Sequence, residues 1–161
     1  MQHLFAPWRF AYVSQADSPG GCIFCAAARD DADSLTVARN EHAFALLNRY
    51  PYTSGHTMVA PYAHVGDLSD LDGDALVGVM RLAQRVVRAL QQVYRPHGFN
   101  VGFNLGEAAG AGIADHVHLH VVPRWRGDTN FMSVTADVRV LPEDLRETRA
   151  KLGRALEGDG G

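Results

Sequence analysis

Apolar and polar side chains alternate strictly along residues 115–123, DHVHLHVVP, with His116, His118 and His120 on one side and Val117, Leu119 and Val121 on the other. A period of two marks an extended strand, because successive side chains leave opposite faces of the pleat. The aliphatic side predicts a wall packed into a core, and the histidine side predicts a face turned to a cleft, a metal or water. FNVGFNL over 99–105 alternates as well, with Phe99, Val101, Phe103 and Leu105 opposed to Asn100, Gly102 and Asn104. It predicts the strand that pairs with the histidine strand. HAFALLN over 42–48 and HTMVAP over 56–61 read as two further strands, and YPYTSG between them supplies the turn of a hairpin. From Leu76 to Val93 the period changes. Leu76, Val79, Ala83, Val86, Leu90 and Val93 step by three and four, the apolar stripe of one long helix. Asp70 or Asp72 is placed to cap its start, and RPHG over 95–98 ends it. Arg81, Arg85 and Arg88 fall off the stripe and predict a solvated face.

Composition narrows the setting. The chain has 161 residues, 47% of them hydrophobic and 20% charged, which fits one compact domain with a core large enough to fold alone. We expect a single domain over residues 1–156 and a disordered tail over 157–161, where EGDGG ends the chain. A formal net charge of −3 gives no positive field to draw the protein onto nucleic acid or an anionic membrane. No run approaches the roughly 18 apolar residues of a membrane span, and the expected location is cytoplasmic.

Both cysteines lie in one CIFC motif, Cys22 to Cys25, which in a cytoplasmic protein points to metal binding before a redox pair or a cross-link. Two thiolates are half of a tetrahedral zinc site, and two histidines must complete it. Side chains two apart on a strand stand about 7 Å apart and can share an ion, whereas His116 and His120, about 13 Å apart, cannot. His3, His42, His56, His64, His97 and the three alternating histidines remain candidates, and spacing does not choose among them. A histidine left free of metal is a candidate nucleophile, provided a hydrogen bond from Nδ1 to a carbonyl leaves Nε2 unprotonated. The glycine-rich stretch GEAAGAGIAD over 106–115 offers backbone N–H groups that could approach a phosphate closely.

HVHLHVV over 116–122 resembles the signature of the histidine triad (HIT) superfamily of nucleotide hydrolases and transferases. AFALLNRYPYTSGHTMVAPYAHVGDL resembles the hairpin of that family, and GFNVGFNLGEAAGAGIADHVHLHVVPRWRGDTNFM resembles its zinc-containing bacterial branch, which includes diadenosine tetraphosphate phosphorylases. The resemblance implies an α+β HIT-like fold, an antiparallel sheet with the long helix packed across it. It also implies a homodimer or higher homo-oligomer.

The same resemblance implies that His118, the middle histidine, attacks the innermost phosphorus of a nucleotide, and that His120 bonds the phosphate or leaving oxygen. A structural Zn2+ would be held by Cys22, Cys25, His64 and His116. Asn48 would lie near the ribose and His56 at the base of the same pocket, Asn104 on the phosphate side, and Trp125 of the PRW segment at the border of the site. Better-known branches carry AGQ followed by Ser or Thr where this chain has AGAGIAD. The loss of those polar groups favours a small, backbone-lined pocket near Ala111 and Gly112, and inorganic phosphate over water as acceptor. The implied function is cleavage of dinucleoside polyphosphates. The alternatives are hydrolysis of a nucleoside phosphoramidate or aminoacyl nucleotide, and nucleotide binding without turnover.

Overall fold

The computed structural model describes residues 21–29, 35–128 and 143–158. Five strands, β1 (Thr36–Arg39), β2 (Ala43–Leu47), β3 (Thr57–Pro61), β4 (Gly98–Phe103) and β5 (Leu119–Arg124), form one sheet in the order β1-β2-β3-β5-β4. Every neighbouring pair is antiparallel. Helices α1 (Ile23–Ala28), α2 (Gly73–Tyr94) and α3 (Leu145–Gly158) pack around it. The α+β fold and the predicted hairpin are both present.

β2 and β3 are buried along their whole length, on both faces. Alternation divides their side chains between two cores. Ala43, Ala45, Leu47 and Val59 meet Val79, Leu82, Val86 and Leu90 of α2, with Leu152 and Leu156 of α3. Phe44, Leu46, Met58 and Ala60 point the other way, onto Phe24 of α1. The short CIFC helix is therefore a third layer of the fold. Burying one such leucine contributes about 1.5–3 kcal/mol, and emptying the space, as in Leu82→Ala, costs about 2–5 kcal/mol.

Of the two candidate caps of α2, Asp72 is the one used: its Oδ1 accepts the Ala75 N–H at 2.8 Å. Asp70 lies instead in a single 3-10 turn, Leu68–Asp70. The helix stops where Arg95 turns left-handed at φ 47° and donates its N–H to the Gln91 carbonyl. The buried stripe includes Ala75, Gly78, Leu82 and Ala89 beside Val79, Ala83, Val86 and Leu90, while Leu76 is 36% exposed. Small residues carry little hydropathic signal, yet close approach selects them. A Cβ at Gly78 would stand 2.6 Å from the His42 Cβ. Arg81 and Arg88 are exposed as predicted, but Arg85 is half-buried and donates from Nη2 to the Leu156 carbonyl at 3.0 Å, joining α2 to α3.

The apolar side of β4 is unevenly covered. Val101 and Leu105, grouped with Phe99 and Phe103 by the alternation, are 48% and 38% exposed. Val101 does share a face with buried Val121, but α2 lies across β2, β3 and β5 and the edge strand projects past it. The terminal tail was expected from 157, yet α3 reaches Gly158 because buried Leu156 carries the last turn down onto the core. Residues 159–161, and His3 at the other end, lie outside the described residues.

Candidate functional site

Regular pairing of β5 begins at Leu119, so His116 and His118 lie just before the ladder and His120 lies within it, opposite Met58 of β3 and Gly102 of β4. The alternation still holds. Leu119 and Val121 face α2, and Val117 joins a small cluster with Leu71 and Ala75. The three histidines face the α1 side, but they are not a solvated face. His116 is fully buried, His118 is 3% exposed and His120 is half-buried.

His116 meets the two cysteines and His64. One ligand atom from each of Cys22, Cys25, His64 and His116 falls within 4.8 Å of all the others. The His116 Nδ1 stands 3.3 Å from Cys22 Sγ, 3.7 Å from Cys25 Sγ and 3.3 Å from His64 Nδ1, and Cys25 Sγ is 3.3 Å from His64 Nδ1. Zinc bonds of about 2.0 Å to nitrogen and 2.3 Å to sulfur give tetrahedral edges of about 3.3–3.7 Å. The donor set and its spacing fit such an ion. On the far side of the ring, Nε2 of His116 donates to the Pro61 carbonyl at 2.9 Å. That bond places the proton on Nε2 and frees Nδ1 to ligate, the usual outer support of a metal-bound histidine. Burial, and next the neighbouring Cys22, raise the Cys25 thiol above its ordinary value; a bound cation reverses this and holds the thiolate.

α1 is fixed in place by more than its ligands. The Arg39 guanidinium reaches from β1 to the end of the helix, donating from Nη2 to the Ala27 carbonyl at 2.9 Å and from Nη1 to the Ala28 carbonyl at 3.0 Å. The last carbonyls of a helix keep acceptor capacity that its own N–H groups do not fill, and a cation at a helix C-terminus is favoured.

His118 belongs to no ligand set. Its Nδ1–H donates to the His116 carbonyl at 2.8 Å, which fixes the tautomer with the lone pair on Nε2. Burial lowers the affinity of the ring for a second proton, keeping it neutral at neutral pH. His118 as a whole is 3% exposed.

His120 is set by a different chain of bonds. The Tyr52 N–H donates to His56 Nδ1 at 3.1 Å, and His56 Nε2 lies 2.9 Å from His120 Nδ1. With Nδ1 accepting, a neutral His56 carries its proton on Nε2 and donates it to His120, which must then carry its own proton on Nε2. His118 presents a lone pair and His120 a donor, with ring centroids 4.9 Å apart. The turn that holds His56 is itself fixed. Thr53 Oγ1 donates to the Pro123 carbonyl at 2.8 Å, and Gly55 has φ +81°, where a Cβ would meet Leu90 at 2.7 Å.

The sequence-predicted residues differ in how near they come to this group. His56, expected at the base of the nucleotide pocket, is 1% exposed and stands behind His120. Asn48 is at the mouth of the hairpin, its Oδ1 accepting the Tyr50 N–H and its own N–H donating to the His56 carbonyl. Phe103 pairs with Leu119, so Asn104 falls one residue further, level with His118. Ala111 and Gly112, expected beside a small phosphate pocket, are both half-buried in the loop before the histidines, where the Ala111 N–H is donated to the Gly106 carbonyl at 3.2 Å. Trp125 lies just past the far end of β5, about 16 Å along the strand from His120, with its N–H on Asp128; one chain does not bring it to the histidines. Two contributors went unread in the sequence. Phe24 and Arg39 carry no motif, and only their neighbours in space give them a part.

Residues 29–127 match the HIT domain family. The chain is 41% identical over 161 residues to the AP-4-A phosphorylase of Mycobacterium tuberculosis, an alignment covering 94% of this chain and 83% of the relative. It also resembles a zinc-bound histidine triad family protein from Mycobacterium smegmatis, with a TM-score of 0.71, 34% identity, and coverage of 86% of this chain and 94% of the other. A histidine triad nucleotide-binding protein from Sulfolobus tokodaii, 24% identical with a TM-score of 0.71 over 85% and 93% of the two chains, shares the fold. Sequence, fold and the placement of the three histidines agree: this chain belongs to the HIT family.

Proposed function

We propose that this HIT-family enzyme cleaves dinucleoside polyphosphates of the diadenosine tetraphosphate type, passing a nucleotidyl group first to His118 and then to phosphate or water. The observation that carries the reading is the fixed tautomer of His118, a neutral imidazole whose Nδ1–H is given to the His116 carbonyl so that Nε2 carries the lone pair. Its lone pair forms the bond to the α-phosphorus while the bond to the bridging oxygen breaks, and the nucleoside triphosphate departs with the electron pair. Positive charge arriving on the ring is met by the His116 carbonyl, which already accepts from Nδ1. The Nε2–H of His120 supplies the donor that such a transfer needs at a phosphate or leaving oxygen. Asn48 and Asn104, at the two edges of the histidine group, are the proposed nucleotide contacts, and Gly112 is retained as a wall of the acceptor pocket. Zinc bound by Cys22, Cys25, His64 and His116 would supply a structural cross-link between α1, the segment after β3 and the residue that orients His118.

The AP-4-A phosphorylase relative supports phosphate as the acceptor. Diadenosine tetraphosphate with inorganic phosphate is expected to yield ATP and ADP, and without phosphate ATP and AMP at a lower rate. No cleavage under either condition would overturn the reading. A homo-oligomer is part of the same proposal, supported by β4 with exposed Val101 at the edge of the sheet formed by the described residues, and by exposed Val77 and Met80 on α2. Sedimentation of a monomer at micromolar concentration would remove it. No helix among the described residues is long and apolar enough to cross a membrane; the proposed location is the cytoplasm, where the two free thiols stay reduced for metal.

A further inference from the structure

We infer that Phe24, carried between the two cysteines on α1, is a positioning residue for His118: its ring is the floor against which the nucleophilic imidazole is held in plane. The inference rests on the proposed role of His118 and adds a residue to it.

Among the described residues the ring of His118 makes one hydrogen bond, from Nδ1 to the His116 carbonyl. One bond fixes a point on the ring but not its plane, since the terminal torsion of a histidine is broad. Aromatic neighbours supply the missing constraint. The Phe24 ring lies 4.6 Å from that of His118, centroid to centroid, at an interplanar angle of 33°, and the His120 ring lies 4.9 Å away at 64°. His118 is therefore held between a flat apolar surface and the edge of the next histidine. Phe24 is held in turn, fully buried against Phe44, Leu46, Met58 and Ala60, and its ring centroid is 5.2 Å from that of His116. An in-line attack needs Nε2 aimed at phosphorus, and an imidazole free to swing out of plane loses the near-attack geometry without losing substrate. The same helix thus delivers two metal ligands and the surface that orients the nucleophile.

Phe24→Leu tests this, because leucine keeps an apolar plug but offers no flat face. In metal-loaded protein with diadenosine tetraphosphate as substrate, the variant is expected to keep one zinc per chain and KM within about twofold, while the rate of nucleotidyl-enzyme formation falls about tenfold. Nitrogen-detected NMR of His118, taken without substrate, is expected to show a single Nδ1–H tautomer in the wild type and a mixture in the variant. A wild-type rate and a single tautomer would overturn the inference. So would a loss of rate fully restored by excess zinc, which would make Phe24 a plug for the metal helix alone. If the wild type forms no nucleotidyl-enzyme, the proposed function fails by itself, and the tautomer measurement still judges Phe24.

Discussion

His116 and His118 stand two residues apart, on the same face and with nearly the same burial, yet their nitrogens are used in opposite ways. His116 gives its Nε2–H to Pro61 and turns Nδ1 toward two sulfurs and a second imidazole. His118 gives its Nδ1–H to a carbonyl and leaves Nε2 open. Which nitrogen is tied to a carbonyl decides which one is left over: Nδ1 of His116 for the metal, Nε2 of His118 for the proposed attack on phosphate. The carbonyl that sets His118 belongs to His116, so the metal end holds the reference point from which the reactive end is aimed. The comparison teaches that the chemistry of a histidine repeat is assigned by its carbonyl partners, which the repeat itself does not encode.

The sharpest way to break the comparison is to remove one ring from each end. His118→Ala is expected to lower turnover on the order of 10^4-fold or more, with zinc content and melting temperature kept near wild type; retained turnover would sink the assignment of the nucleophile. Cys22→Ser, or chelation of the metal, is expected to act first on stability, lowering the melting temperature by about 10 °C, the shift that a loss of about 3–4 kcal/mol gives in a domain of this size. Loss of activity with an unchanged melting curve would mean that the ion takes part in the reaction. His56→Phe removes the donor to His120 and leaves its tautomer unset. The expected result is a fall in kcat of about ten- to a hundredfold with little change in KM, whereas a rise in KM alone would return His56 to the nucleotide pocket. Arg39→Ala sharpens the metal end: zinc release to a competing chelator should quicken about tenfold, the measure of charge-assisted bonds worth about 1.5 kcal/mol.

The smallest expected effect lies outside both ends. Glu143 is desolvated by burial, but hydrogen bonds from Lys151, Tyr94 and Thr148 outweigh this and hold its carboxyl below the ordinary value of 4.5. A carboxylate with a lowered folded-state pKa stabilises fully above its unfolded value, and that stability drains away as pH falls from about 4.5 through the lower folded value. Glu143→Gln should therefore flatten the acid limb of the melting curve while leaving the histidine site unaffected.

The sequence pattern carried four of the five described strands, all but β1, with the long helix and the face shared by the three histidines, because periods of two and 3.6 are direct images of local backbone geometry. The metal set was legible only through family resemblance, since Cys22, Cys25, His64 and His116 come from three distant segments. His56 was visible as a polar residue of the hairpin but not as the partner of His120, a contact made across paired strands. Leu76 and Val101 are apolar yet exposed for the same reason. Hydropathy marks a residue fit for burial, while the position of α2 over the sheet decides which of them is covered. Phe24 had no signal at all, because any apolar residue between two ligands reads alike.

The layer formed by α1 has a consequence for the protein without its ion. Six residues screen Phe44, Leu46, Met58 and Ala60 from water. If that helix detaches, the hairpin presents an oily flank beside intact strands, the kind of surface that sticks to its own copies. Depleted of metal, the enzyme is expected to precipitate before it merely slows, and its shelf life should track zinc more closely than temperature.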